Sequence, residues 1–221
     1  ALNDETLRNL HERLLYLRNL EEKKEQVINA ITDQGKMTED LKEKILSAET
    51  LVAVDDLYRP YRPKKQTRAT KAKEKGLEPL ANILLLQKTT KSMEEEAEAF
   101  VNEEKGVVNA KKAIAGAKDI IAEMIADMAD YRKSIRNCTM KQGSLVVKAK
   151  DEKAESVYEM YYDFREPLSK VTGYRVLAIN RGEKEKFLTV KIEAPQDDIL
   201  RYLEKKMIHS ENPHTTPILK E

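Results

Sequence analysis

The sequence predicts a mainly α protein, a multi-helix bundle with long amphipathic helices followed by a small α+β element. Three observations carry that reading. Glycine and proline number seven each in 221 residues, about half their usual combined share of ~12%, so little interrupts a helix. Charged residues make up 36% of the chain, against about 25% in an ordinary soluble domain, and they alternate with leucine, isoleucine and alanine at helical spacing. Past residue 143 that spacing shortens to the alternation of a strand.

The first helix is expected over 3–34. Leu7, Leu10, Leu14, Leu17 and Leu20 recur at intervals of three and four, and Val27, Ile28 and Ile31 continue the stripe on one face. Asn3 or Asp4 caps the start, and Gly35 stops the helix. Such spacing serves either a dimeric coiled coil or an intramolecular bundle. The bundle is the expectation, because the repeat is short and further helices follow at once. Thr38 opens a second helix, with Leu41, Ile45 and Leu46 inward, and a third covers roughly 49–57. Pro60 and Pro63 then force an extended or turned stretch, since each proline excludes helical geometry from the residue before it. Thr67 caps a helix over 68–75 that Gly76 ends, and another helix runs from Leu77 to Gln87.

Residues 89–106, with the acidic run Glu94, Glu95 and Glu96, read as a solvated helix lying on the bundle. Segment 107–136 reads as one long helix whose apolar stripe runs from Ala113 to Met128. Its alanines and Gly116 invite a neighbouring helix to approach closely. Strands are expected at 144–150 and 187–193, a helix at 172–182 and a last helix at 196–208. The expected organisation is an all-helical module over 1–136, an α+β element with two or three short strands over 137–208, and a loose tail over 209–221.

Composition also narrows function. No apolar run approaches the ~18 residues of a membrane span, and the amphipathic, charged N-terminus does not read as a secretory leader. One cysteine, Cys138, and three scattered histidines supply neither a disulfide nor a zinc site. Cys138 itself reads as a buried small residue. The cytoplasm is the expected location, and a chain that opens on Ala1 without methionine reads as a fragment or a processed product. The formal charge of +1, from 40 basic and 39 acidic residues, gives no global attraction to nucleic acid. Any such role must come from local charge segregation.

That segregation occurs at 59–75, where Arg59, Arg62, Lys64, Lys65, Arg68, Lys71, Lys73 and Lys75 face one acid, Glu74. Basic side chains here can meet phosphates, the helix start at Thr67 offers backbone N–H groups, and Tyr58 or Tyr61 can stack on a base. Equally, the run can be an internal docking element paired with Asp55, Asp56 or Glu94–Glu96. Asp55 and Asp56 are the one adjacent carboxylate pair beside it. Neighbours on a helix diverge by about 100°, so ion pairing is expected in place of a shared magnesium ion. No glycine-rich phosphate loop, catalytic triad order or metal-ligand spacing occurs, so neither enzymatic activity nor a cofactor is expected.

The stretch Asp55-Asp56-Leu57-Tyr58-Arg59-Pro60-Tyr61-Arg62-Pro63-Lys64-Lys65-Gln66-Thr67-Arg68-Ala69-Thr70, with Gly76-Leu77-Glu78-Pro79-Leu80-Ala81 after it, closely resembles the bacterial Tex family of transcription accessory proteins. Three further stretches match in the same order: Leu10–Leu17 with Glu21-Glu22-Lys23, Phe100-Val101 with Glu104–Val107, and Tyr174–Gly182. The resemblance covers essentially the whole chain. It implies the N-terminal helical portion of a longer factor, with helix-turn-helix-like elements, that begins after the family's first helices. The family's nuclease-like domain and its nucleic-acid-binding OB-fold lie outside this sequence.

What the resemblance implies is a contribution to RNA or DNA binding through 59–75, weak in this portion alone, with RNA polymerase or other transcription proteins as partners. The alternative is a protein–protein scaffold without direct nucleic-acid contact. The residues expected at a nucleic-acid site are Tyr58, Arg59, Tyr61, Arg62, Lys64, Lys65, Arg68, Lys71 and Lys75.

Overall fold

The structure, a computed structural model, describes residues 3–221. The chain divides into two compact units: one runs to Arg132 and takes in Glu211–Leu219 and Glu221, the other holds Lys133–Ser210 and Lys220. The division falls within a helix, ahead of the expected boundary at 137.

In the first unit, α1 (Asp4–Asp33) starts at Asn3, whose side chain accepts the Thr6 N–H at 2.8 Å. α2 (Glu39–Leu46) and α3 (Leu51–Tyr58) are capped by Thr38 and Thr50. Both fold back on the C-terminal half of α1, where Leu20, Val27 and Ile31 close a core with Leu41, Ile45, Ala48 and Val54. Lys24 lies buried in the same face; its ammonium donates to the Leu46 carbonyl and to Glu21, both at 2.8 Å.

The expected bundle stops there. Leu7, Leu10, Leu14 and Leu17 are 40–60% exposed. The reason is length: α2 and α3 have eight residues each, about 12 Å of helix, and their cover ends near Tyr16, whose hydroxyl accepts the Leu51 N–H at 3.1 Å.

α4 (Arg68–Glu74), α5 (Glu78–Leu86) and α6 (Met93–Glu98) all pack against α7 (Ala110–Asp127). Ala110, Ala113 and Ala117 are buried on α7, as are Ala69, Ala72, Leu80 and Leu84 on its neighbours. Small side chains permit the close approach. At Gly116, a Cβ would stand 2.3 Å from Leu77 Cδ1 and 3.3 Å from Ala72 Cβ. Full burial of Leu77, Leu80 and Leu84 stabilises this layer by about 1.5–3 kcal/mol each.

Two expectations for this region change. The solvated helix over 89–106 reduces to the six residues of α6, with Met93 and Ala97 buried. Asn102 then caps a short 3-10 turn, and Gly106 ends it at φ +72°, where glycine alone is unstrained. The helix expected over 107–136 breaks at Met128, whose ψ of 117° is extended, and α8 (Ala129–Gln142) follows. No proline or glycine marks the break, so tertiary packing overrides local propensity. Asp127 is left buried at the end of α7, while Met124 and Met128, expected inside, are exposed. Cys138 on α8 is only half-buried.

The second unit contains a three-stranded antiparallel sheet ordered β2-β1-β3, formed by β1 (Ser144–Ala149), β2 (Asp163–Pro167) and β3 (Leu188–Glu193). Val147 stands opposite Phe164 and Val190. Period-two alternation turns Leu145 and Val147 toward Tyr158, Tyr161, Leu188 and Ile179, the last on α9 (Gly173–Lys184). β2 closes the acidic, aromatic stretch, with Phe164 as its large apolar residue. The Tyr158 hydroxyl donates to Glu185 at 2.9 Å. Hydrogen bonds from Arg181 and then Tyr158 hold the Glu185 carboxyl below its usual range, while burial pushes the Tyr158 phenol up.

α10 (Gln196–Met207) follows the sheet, and α11 (Thr216–Lys220) ends the chain. The tail expected to be loose joins the first unit. Asn212 Nδ2 donates to the Gln87 and Thr89 carbonyls at 3.2 and 2.9 Å, and Thr215 is fully buried.

Gly182 packs so closely that a Cβ would meet Leu188 Cδ1 at 2.6 Å and Tyr158 Cδ1 at 3.1 Å, whereas Gly173 has nothing within 4 Å. Gly182→Val is expected to destabilise the second unit by about 1–3 kcal/mol through overpacking. Gly173→Ala should stay within about 0.5 kcal/mol of the parent. Urea denaturation followed by tyrosine fluorescence compares the two.

Candidate nucleic-acid interface at residues 59–75

The segment begins where α3 ends. The Tyr61 and Arg62 N–H groups both donate to the Tyr58 carbonyl, at 2.9 and 3.0 Å, and close a turn across Pro60. The Tyr58 and Tyr61 rings are half-buried against the core of α1–α3. Arg62 stands 5.4 Å from the Tyr58 ring centroid and donates to Asp55 at 3.0 Å. Both tyrosines therefore anchor the turn, and one ring face is already covered by a cation.

The chain next runs along α7 in the opposite direction to the helix. Arg59 Nε donates to Asp127 Oδ1 at 2.9 Å, and the Lys64 ammonium bonds the other oxygen of the same carboxylate. Lys64 also lies 3.5 Å from Glu123, and Arg68 Nε lies 3.5 Å from Asp119. Asp119, Glu123 and Asp127 are spaced by four, which places them in one row on the helix surface. The row is graded in burial. The Asp127 side chain is 10% exposed, and Arg68 at the other end is 86% exposed. An ion pair as open as that of Arg68 contributes about 0–1 kcal/mol. Asp127 is different, because a buried carboxylate deprived of its cations keeps its desolvation penalty.

Asp55 and Asp56 reach different partners. Asp56 is buried and accepts from Arg132 Nε at 2.7 Å, while Asp55 is exposed and takes Arg62, with Lys23 3.7 Å away. Of the acids proposed from sequence as partners, Asp55 is the one seen to bond the 59–75 run, through Arg62. Glu94 and Glu95 are exposed, and Glu96 accepts the Thr89 hydroxyl at 2.5 Å. The acids that do the pairing, on α7, were missed. Their signal was present as the i, i+4, i+8 spacing of Asp119, Glu123 and Asp127.

The remaining cations divide. Lys75 donates to the Gly106 carbonyl at 3.3 Å, and Lys73 lies 3.7 Å from Glu78. Lys65 and Lys71 are exposed, and among the described residues neither makes a hydrogen bond or ion pair through its ammonium. The start of α4 is occupied by its own side chains. Thr67 Oγ1 accepts the Thr70 N–H at 3.1 Å, and Thr70 Oγ1 accepts the Thr67 N–H at 2.7 Å, a capping box that engages donors expected to face a phosphate.

The fold and the docked basic segment define an α-helical module carrying a small α+β unit, and no described helix is long and apolar enough to cross a membrane. Residues 88–215 match the family described as Tex central region-like, and the chain belongs to the Tex family. A Bacillus subtilis protein, YdcI, is 44% identical over 224 residues, covering all of this chain and 31% of the relative. The transcriptional accessory protein Tex of Neisseria gonorrhoeae is 38% identical, covering 90% of the chain and 26% of the relative. The human S1 RNA-binding domain-containing protein 1 is 30% identical, covering 91% and 21%. The chain thus spans about a third or less of the length of these relatives. The basic segment lies outside the 88–215 match, whose two ends are tied together by Asn212.

Asp127→Asn should free Lys64 and Arg59 and lower stability by about 1–3 kcal/mol. Trypsin cleavage after Lys64 and Lys65 should accelerate in this variant, while Arg68→Ala cleaves like the parent. Timed digestion read by mass spectrometry checks both.

Proposed function

We propose that this chain is a helical scaffold portion of a Tex-like transcription accessory protein that meets RNA or DNA through Lys65, Arg68 and Lys71. The observation that supports this most is the sorting of the 59–75 run. Arg59 and Lys64 are committed to Asp127, whereas Lys65, Arg68 and Lys71 are exposed on the segment that those pairs hold in place. Exposed cations on a fixed backbone favour phosphate contact, because little side-chain and loop ordering remains to be done on binding. The reading assigns no catalysis to the chain, since Asp55 and Asp56 are each engaged by separate cations.

A second reading is a scaffold with no nucleic-acid contact, organising neighbouring domains or polymerase. The inward use of Tyr58, Tyr61, Arg59 and Lys64 favours it. One experiment separates the two. The Lys65→Glu, Arg68→Glu, Lys71→Glu triple variant is titrated against fluorescein-labelled single-stranded RNA and duplex DNA at two salt concentrations. Direct contact predicts weaker binding and a salt slope reduced by about one unit for each phosphate no longer neutralised. Unchanged affinity and slope would leave the scaffold alone.

A further inference from the structure

The N-terminal half of α1 is the largest departure from the expected bundle, and none of the described residues of the first unit covers it. Residues 4–19 extend over about 24 Å of helix, with Leu7, Leu10, Leu14 and Leu17 in one stripe, 40–60% exposed. In a heptad frame, Leu7 and Leu14 share one row and Leu10 and Leu17 the next. That second row continues without interruption into Lys24 and Ile31, both buried beneath α2 and α3. The exposed stripe is therefore the open continuation of a packed helix–helix seam, shaped to take one more helix.

The charges beside the stripe say which kind. Arg13 flanks it on one side, His11 and Arg18 on the other, with Asp4 the one acid in the flanking rows. A second copy packed parallel would set Arg13 against Arg18 of its partner. Packed antiparallel, it would set Arg13 against its own counterpart, with Asp4 alone to answer Arg18. Like charges directly across such a seam oppose association. A helix flanked by glutamate or aspartate satisfies Arg13 and Arg18 together.

We propose that the N-terminal half of α1 docks an acidic amphipathic helix of another polypeptide, its apolar row on Leu7–Leu17 and its carboxylates against Arg13 and Arg18. This surface is distinct from residues 59–75, so it stands or falls apart from the nucleic-acid reading.

The test uses the whole chain and two fluorescein-labelled synthetic helices. Each has leucine at a and d; one has glutamate at e and g, the other lysine. Anisotropy should show the glutamate helix binding at least about tenfold tighter than the lysine helix. Arg13→Glu with Arg18→Glu should reverse that preference. Leu10→Ser with Leu14→Ser should abolish binding of both helices while the circular-dichroism melt stays unchanged, because these leucines are not in the core. Equal binding of the two helices would overturn the proposal, as would no binding of the glutamate helix. So would sedimentation showing a dimer of the chain that the two serines dissolve.

Discussion

The Asp127 carboxylate is the interaction on which the arrangement of the first unit depends. It sits at the end of α7, nine-tenths buried, and receives Arg59 on one oxygen and Lys64 on the other. Those two cations lie at either end of a segment that two prolines keep from becoming helix. Without a fixed partner, such a segment gains little from ordering its backbone, which costs about 1–2 kcal/mol per residue. With one, the segment lies along α7 and delivers α4 to the alanine and glycine face that receives it. The buried Asp56–Arg132 pair ties α3 to the start of α8 in the same way.

Charge in this protein is therefore sorted twice. Along the chain, a basic run is separated from acidic stretches, which hides it in a formal balance of +1. Within the run, position decides use. Arg59 and Lys64 point to the acidic row on α7, while Lys65 and Lys71 stand in solvent beside them. A basic motif of this kind is part structural device and part surface, and only the second part is available to phosphate. The tyrosines belong with the structural part, as hydrophobic anchors of the turn.

Much of the helical framework was legible because it rests on local signals. Threonine caps at 38, 50 and 67 and the glycines at 35 and 76 mark helix ends through backbone chemistry that needs no distant partner. The break at Met128 was not legible, since its residues favour helix and tertiary packing alone ends α7. The exposed leucines of α1 misled for a related reason: periodicity reports which residues share a face, not whether another helix is long enough to cover it. At the candidate site, the basic run and its proline-fixed shape were readable. The acid that holds it lies 63 residues from Lys64 and 68 from Arg59 in sequence. The four-residue spacing on α7 could have suggested it, but pairing across such a separation is settled only by the fold. Tyr58 and Tyr61 show the same limit, because an aromatic beside arginines serves a base or a core equally well until its neighbours are known.

A double-mutant cycle between Lys64 and Asp127 tests the role of this carboxylate most directly. Stabilities of the parent, Lys64→Met, Asp127→Asn and the double variant are measured by urea denaturation. If the carboxylate holds the segment, the two losses should fall short of additivity by about 1–3 kcal/mol. Losses that add to within about 0.5 kcal/mol would mean that the segment is held by something other than this pair.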